Sequence, residues 1–279
     1  MREIYQRLYM KIILSGILLV LVTLTGLQGQ VPARHSHNDY EQPFPFYTAY
    51  RYQFESIEED IFLINGRLLV AHTEKELEPE RTLGKLYLHP VDSILKKNNG
   101  LIYPGQNQKL QLLIDCKTEA YSTLKALIDL LKKYPAITSN ANIKLVITGN
   151  RPIEEDYSKY PSYIFFDGRP DEHYSKAALR KIAIISVDFS QYSQWNGYSI
   201  LTPQEQKKLQ QVVAEAGRLN KPFRFWGCPD TVVAWEEFIK MGIAFINTDH
   251  IEQLSDFLKE KTLKTAQFQQ QLPTAQAVK

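Results

Sequence analysis

The sequence predicts an α/β protein, a single-domain (β/α)8 TIM-type barrel, and three observations carry that expectation. Eight short apolar runs alternate with amphipathic stretches between residues 32 and 262. Polar residues gather where those runs end, which is where such a barrel builds its site. The first run is followed by His35-Ser36-His37-Asn38-Asp39, unlike the glycine-rich turn that opens a doubly wound open sheet.

Taken in order, the chain opens with Arg2, Arg7 and Lys11 ahead of an apolar run that ends near Gly26–Gly29. This pattern predicts a signal peptide over residues 1–29, cleaved from a secreted or periplasmic protein. An uncleaved membrane anchor is the alternative, but the run falls short of the roughly 20 residues of a stable span. The strands are expected around Pro32–His35 and at Ser56–Ile64, Leu110–Asp115, Ile143–Thr148, Tyr163–Phe166, Ala183–Val187, Pro222–Phe225 and Ala244–Asn247, where β-branched and aromatic residues concentrate. Helices are expected at Pro90–Lys97, Ser122–Tyr134, Pro203–Leu219, Thr231–Met241 and Ile251–Glu260, the fourth capped by Asp230. The barrel thus occupies residues 30–262. Residues 73–108 form an insertion between strands two and three, and 263–279 a loose polar tail.

Composition narrows the function. A chain of 279 residues that is 44% hydrophobic and 11% aromatic has ample material for a core. There are 33 Lys and Arg against 31 Asp and Glu. Removing residues 1–29, with Arg2, Arg7, Lys11 and Glu3, leaves equal numbers of the two, so no nucleic-acid partner is expected. Two cysteines, Cys116 and Cys228, can form neither a disulfide framework nor a four-thiolate zinc site, and they are expected unpaired.

The residues with chemistry sit at strand ends. In Ser56–Ile64, Glu58 and Asp60 are two apart and share a face. Two carboxylates turned into a barrel need a compensating cation, and oxygen ligands select a hard one, Mg²⁺ or Ca²⁺. The alternative is an edge strand with a solvated charged face, which Glu59 on the other side keeps open. After the turn at Asn65-Gly66-Arg67, the segment Leu68–Ala71 returns His72 to the same mouth. Asp115 and Lys117 repeat the two-residue spacing, a third oxygen ligand beside a cation for an anionic substrate. His35 and His37, two apart on an extended backbone, are expected to point the same way. His89 and His173 are expected to be solvated, and Asp249 to cap the segment at His250. Two imidazoles to move protons, with a hard metal and a lysine to hold growing charge, point to phosphoryl chemistry.

These residues resemble a known family. His37, Ile57-Glu58-Glu59-Asp60-Ile61, the Gly66 turn, Val70-Ala71-His72 and Ile114-Asp115-Cys116-Lys117 are similar to the glycerophosphodiester phosphodiesterase and phosphatidylinositol-phospholipase-C-like superfamily. The run His35–Tyr40 is most similar to its altered-inheritance-of-mitochondria-protein-6-like branch, and the Glu-x-Asp and Asp-x-Lys spacings to the sphingomyelinase D relatives. Phe223–Asp230 and Gly242–Asp249 resemble the last two strand-and-loop segments. The resemblance implies a barrel that hydrolyses a small-molecule or lipid phosphodiester with one divalent cation. It implies Glu58, Asp60 and Asp115 as metal ligands, His37 and His72 as the proton-transferring pair, and Lys117 and Trp226 as substrate contacts; His35, two residues before His37 and ranked behind it, is expected among the substrate contacts. The His-Arg-Gly opening of glycerophosphodiesterases is absent, and the third ligand is aspartate where they carry glutamate. A barrel glycosidase and a catalytically silent barrel acting as a binding module are the competing expectations. The first would use paired carboxylates across a sugar bond.

Overall fold

The computed structural model describes residues 31–271. The expected signal peptide lies outside the described residues. Among the described residues the sheet has eight parallel strands: β1 (Ala33–Ser36), β2 (Ser56–Ile64), β4 (Leu110–Cys116), β5 (Ile143–Gly149), β6 (Ile164–Gly168), β7 (Ile182–Asp188), β8 (Phe223–Trp226) and β9 (Phe245–Thr248). Because β1 pairs with both β9 and β2, the sheet closes into a barrel. The remaining strand, β3 (Arg67–Val70), runs antiparallel to β2 as an outer hairpin. Its turn is Asn65-Gly66, both at positive φ, the backbone that two-residue hairpin turns require.

Helices alternate with the strands. Among the described residues the principal ones are α1 (Tyr47–Arg51), α2 (His89–Lys97), α3 (Ala120–Leu131), α4 (Pro135–Thr138), α5 (Lys176–Leu179), α6 (Pro203–Arg218), α7 (Val232–Lys240) and α8 (Ile251–Gln271). Proline opens α6 behind a Thr202–Glu205 capping box, so two orphan N–H groups are satisfied reciprocally. Between β3 and β4 a π-helical turn, Gly84–Leu88, leads directly into α2. Two expectations are corrected. The last helix continues to Gln271, so the first part of the expected tail is regular structure; its sequence is polar but strongly helix-forming, and apolar periodicity alone misses such a segment. The N-cap of α7 is Thr231, whose side chain accepts from Ala234 N–H, and not Asp230.

Strand alternation sorts the core into layers. Outward-facing Ile57, Ile61, Leu112, Ile114, Leu145 and Ile147 join the main cluster beneath the helices. Inside the barrel, Leu113, Val146, Ala183 and Ile184 pack with Phe165 and Phe245 as a separate apolar plug. One inward position toward the carboxyl ends, Asp60, Asp115 and Thr148 stand in register above Leu113 and Val146, whose level Glu58 shares. Among the described residues no helix is long and apolar enough to cross a membrane.

Candidate active site

Parallel register sets the carboxylates side by side. Asp60 pairs with Asp115, and Asp115 with Thr148, so both aspartates enter the mouth at one level. Glu58 lies one inward position deeper. One carboxylate oxygen from each of Glu58, Asp60 and Asp115 falls within a cluster no wider than 4.8 Å. All three line a cavity of about 430 Å³ together with His37, Asn38, His72, Lys117, Asn150, Arg169, Arg224 and Trp226. Glu59, on the opposite face of β2, is wholly buried against the helical layer. The solvated edge strand is therefore excluded.

The charges are arranged rather than merely crowded. Lys117 Nζ lies 2.9 Å from Asp60 Oδ2 and 2.8 Å from Asp115 Oδ2. This leaves Oδ1 of each aspartate buried with no partner. Burial, then the Asp115 and Glu58 charges, pushes the Asp60 carboxyl up to about 7. Asp115 is also raised, by burial and, against the pull of Lys117, by Glu58. Glu58 goes the other way. Burial opposes its charge, but the Arg224 guanidinium at 2.9 Å and the His35 ring at 2.7 Å hold its pKa well below the usual carboxylate range. Two orphaned aspartate oxygens and a carboxylate ionised beside them form a donor set that suits a hard divalent cation.

His35 belongs to this support and not to the cavity wall, which corrects the expectation of substrate contact. It does point inward like His37, but it sits two residues deeper, wholly buried, with Nδ1 2.7 Å from Ser56 Oγ and Nε2 2.7 Å from Glu58 Oε2. Burial, then Arg224 beside it, lowers its pKa to about 4, so the ring is neutral.

The other two imidazoles flank the carboxylates. His37 Nδ1 lies 2.9 Å from Asp249 Oδ1. Burial would lower its pKa, but the Asp249 bond and the Glu58 charge outweigh it and raise the ring above its ordinary value. Asp249 thus holds His37 and is not the helix cap, a correction that follows from Asp230 Oδ2 accepting the Asp249 N–H and setting that side chain toward the mouth. Across the cavity, the Tyr40 hydroxyl stands 2.8 Å from Asn38 Oδ1, 2.8 Å from Asp60 Oδ2 and 3.1 Å from His72 Nδ1. With its one proton given to an oxygen, it accepts from His72 Nδ1–H. Both rings therefore turn Nε2 to the work. Trp226 stands at the rim, 37% exposed.

A family profile described as AIM6-like phosphodiesterase domain matches residues 28–167. The chain belongs to the AIM6-like phosphodiesterase family. The matched stretch carries His37, Glu58, Asp60, His72, Asp115 and Lys117. Similarity over about four fifths of the chain agrees. The chain is 28% identical over 277 residues to altered inheritance of mitochondria protein 6 of Eremothecium gossypii, covering 80% of this chain and 68% of that protein. It is 27% identical over 257 residues to the homologue of that protein from Arthroderma benhamiae, covering 78% and 81%. Its barrel is similar to the crystal structure of a glycerophosphodiester phosphodiesterase from Parabacteroides distasonis, with TM-score 0.53 and 13% identity over 83% of this chain and 98% of that one. At that identity the likeness is one of fold.

Several residues of this AIM6-like phosphodiesterase site escaped the sequence reading. Arg224 is hidden inside the aromatic run Phe223–Trp226, and its partner Glu58 lies 166 positions away. Arg169 and Asn150 each fall just beyond a strand end, the one signal that could have found them. Gly149 is the least visible. It has φ +70°, and a Cβ built there would stand 1.9 Å from Asp115 Oδ1. His89, His173 and His250 are exposed, and Cys116 and Cys228 are free thiols.

Proposed function

We propose that the protein is a metal-dependent phosphoric diester hydrolase acting on a small-molecule or lipid phosphodiester. The observation that carries this reading is the convergence of Glu58, Asp60 and Asp115 oxygens, two of them buried and unpartnered, between two imidazoles and a lysine. A divalent cation, Mg²⁺ or Ca²⁺, held by those three carboxylates would supply positive charge to the phosphate oxygens.

The chain's own groups do the rest. His37, with Nδ1–H given to Asp249, uses the Nε2 lone pair to take the proton from the attacking oxygen, either of water or of a hydroxyl beside the phosphate. His72, with Nδ1–H given to Tyr40, donates its Nε2 proton to the alkoxide as the P–O ester bond breaks. A raised pKa suits His37 as the base, because a more basic imidazole accepts the proton more readily near neutral pH. Lys117 opposes the upward push on the Asp60 and Asp115 carboxyls and holds both in place, and Trp226 walls the rim. The glycosidase reading fares worse, since its two carboxyl groups must flank the substrate, whereas these three crowd one side of the cavity.

Hydrolysis of bis(p-nitrophenyl) phosphate tests the reading. Turnover should vanish with chelator, return with Mg²⁺ or Ca²⁺, and be absent in His37→Ala at normal thermal stability. Activity indifferent to chelator, or retained by His37→Ala, would overturn it. The targeting pattern of residues 1–29 supports export of the protein. A mature chain beginning near residue 30, found by N-terminal sequencing of protein from the periplasm or medium, is the expected result, and an intact start would exclude cleavage.

A further inference from the structure

Among the described residues Lys117, Arg224 and Arg169 are the cations that line the cavity, and the first two are already engaged. Lys117 Nζ is bound by Asp60 and Asp115. Arg224 spends Nη1 on Glu58, Asn247 and the His35 ring and Nε on Ser186, and the residue is buried. Arg169 is different. Its Nη1 alone is engaged, by Asp167 Oδ2 at 3.0 Å and Gly168 O at 3.0 Å, and no side chain among the described residues takes Nε or Nη2. A guanidinium presents five N–H groups in a flat fork, so one edge is left for a planar oxyanion.

That edge is held ready. Arg169 N–H donates to Tyr174 Oη at 2.7 Å and to Glu172 Oε2 at 3.1 Å, which fixes the backbone just past β6. Asp167 is itself fully buried and also accepts from Thr148 Oγ1 at 2.9 Å, so the anchor under the guanidinium cannot swing away. Asn150 ties its Nδ2 to Lys117 O and Thr118 O, both at 3.1 Å. Asn150, which lines the same cavity, is thereby tied to the segment just past β4, the strand that carries Asp115. Neighbouring strands lie about 4.8 Å apart, so β6 stands roughly 10 Å round the wall from β4. A group on Arg169 would belong to the same substrate as a phosphate on the carboxylates, a few bonds farther along.

We propose that Arg169 forms a subsite for a second anionic group on the substrate, so that the preferred phosphodiester is an ester of an acidic alcohol bearing a carboxylate or a phosphate. This rests on the phosphodiester reading above. Cationic head groups are disfavoured by the same guanidinium.

The test is a panel of p-nitrophenyl phosphodiesters whose other arm is 2-carboxyethyl, 2-carbamoylethyl or 2-(trimethylammonio)ethyl, nearly equal in size and differing in charge. In the wild-type protein with Mg²⁺ or Ca²⁺, kcat/KM should be about 10–100-fold higher for the carboxyethyl than for the carbamoylethyl ester, most of it in KM, with the ammonium ester poorest. Arg169→Gln should bring the first ratio near one, and Arg169→Lys, which keeps a charge beside Asp167 without the fork, should give an intermediate ratio. A wild-type ratio near one overturns the proposal whatever the variants do, and so does an unchanged ratio in Arg169→Gln.

If none of the three esters is hydrolysed, the hydrolase reading fails while the subsite is still decided by calorimetry with the unreactive methyl 2-carboxyethyl and methyl 2-carbamoylethyl phosphates. Tighter binding of the carboxylate, lost in Arg169→Gln, supports it; equal binding overturns it. Replacing the methyl arm by hexadecyl in neutral micelles separates a lipid source of the acidic group from a soluble one.

Discussion

Replacing Gly149 by alanine should dismantle the metal site from one residue outside it. The new Cβ would stand 1.9 Å from Asp115 Oδ1, whereas real contacts begin near 3.0 Å, so that oxygen must retreat by about 1.1 Å. Coordination distances tolerate only about 0.2 Å, so that oxygen could not serve as a ligand of the proposed ion. Cys116 O, 2.8 Å from the same Cβ, is backbone and blocks the other escape. The substitution also holds an L-residue at φ +70°, which costs about 1–2 kcal/mol, or roughly 2–8 °C in melting temperature for a chain of this size. Disturbing a residue that positions a ligand typically costs about 10–100-fold in metal affinity, and we expect at least that in a Mg²⁺ or Ca²⁺ titration by calorimetry. Asp115→Ala removes the clashing oxygen, so adding Gly149→Ala to it should cost only the backbone contribution. A folded Gly149→Ala protein with wild-type ion affinity would refute the reasoning.

Other outcomes follow from the same geometry. In Asp249→Asn the partner that raises His37 is lost; because a base works deprotonated, kcat/KM should climb at lower pH than in the wild type, and an unmoved acid limb would separate Asp249 from His37. Burial, then the Asp39, Glu58 and Asp60 charges, raises Glu59 well above the usual carboxylate range. A raised carboxyl disfavours folding above its unfolded pKa, so Glu59→Gln should be the more stable protein at pH 8, with the gap closing toward pH 4.5; denaturant melts at both pH values check this. Divalent ion at about 100 times its Kd should add about 2.7 kcal/mol of stability, or roughly 5–10 °C, and a melting temperature blind to chelator would contradict a bound ion.

Much of this was legible because strand geometry is simple. A period of two puts Glu58 with Asp60, and Asp115 with Lys117, on one face, and the apolar flanks mark which face is inside. The same rule misplaced His35. Alternation gave its direction correctly but carries no depth, and two residues of extended chain, about 6.6 Å, separate the wall of the cavity from the layer beneath it. Contacts made by closing the barrel were illegible for another reason. His37 meets Asp249 212 positions away, and Glu58 meets Arg224 across 166, and no local pattern announces either. Gly149 is a third kind of blind spot. Its function is the absence of a side chain, visible only when the neighbour that needs the space is known.

The most direct measurement is ion stoichiometry alongside turnover on one preparation, by equilibrium dialysis with Mn²⁺ as a stand-in for the native cation and a chromogenic diester as substrate. One ion per chain, lost together with hydrolysis in Glu58→Gln, Asp60→Asn and Asp115→Asn, is the expected result. Hydrolysis that persists when no ion is bound, or an ion that stays when these carboxylates are neutralised, would contradict it.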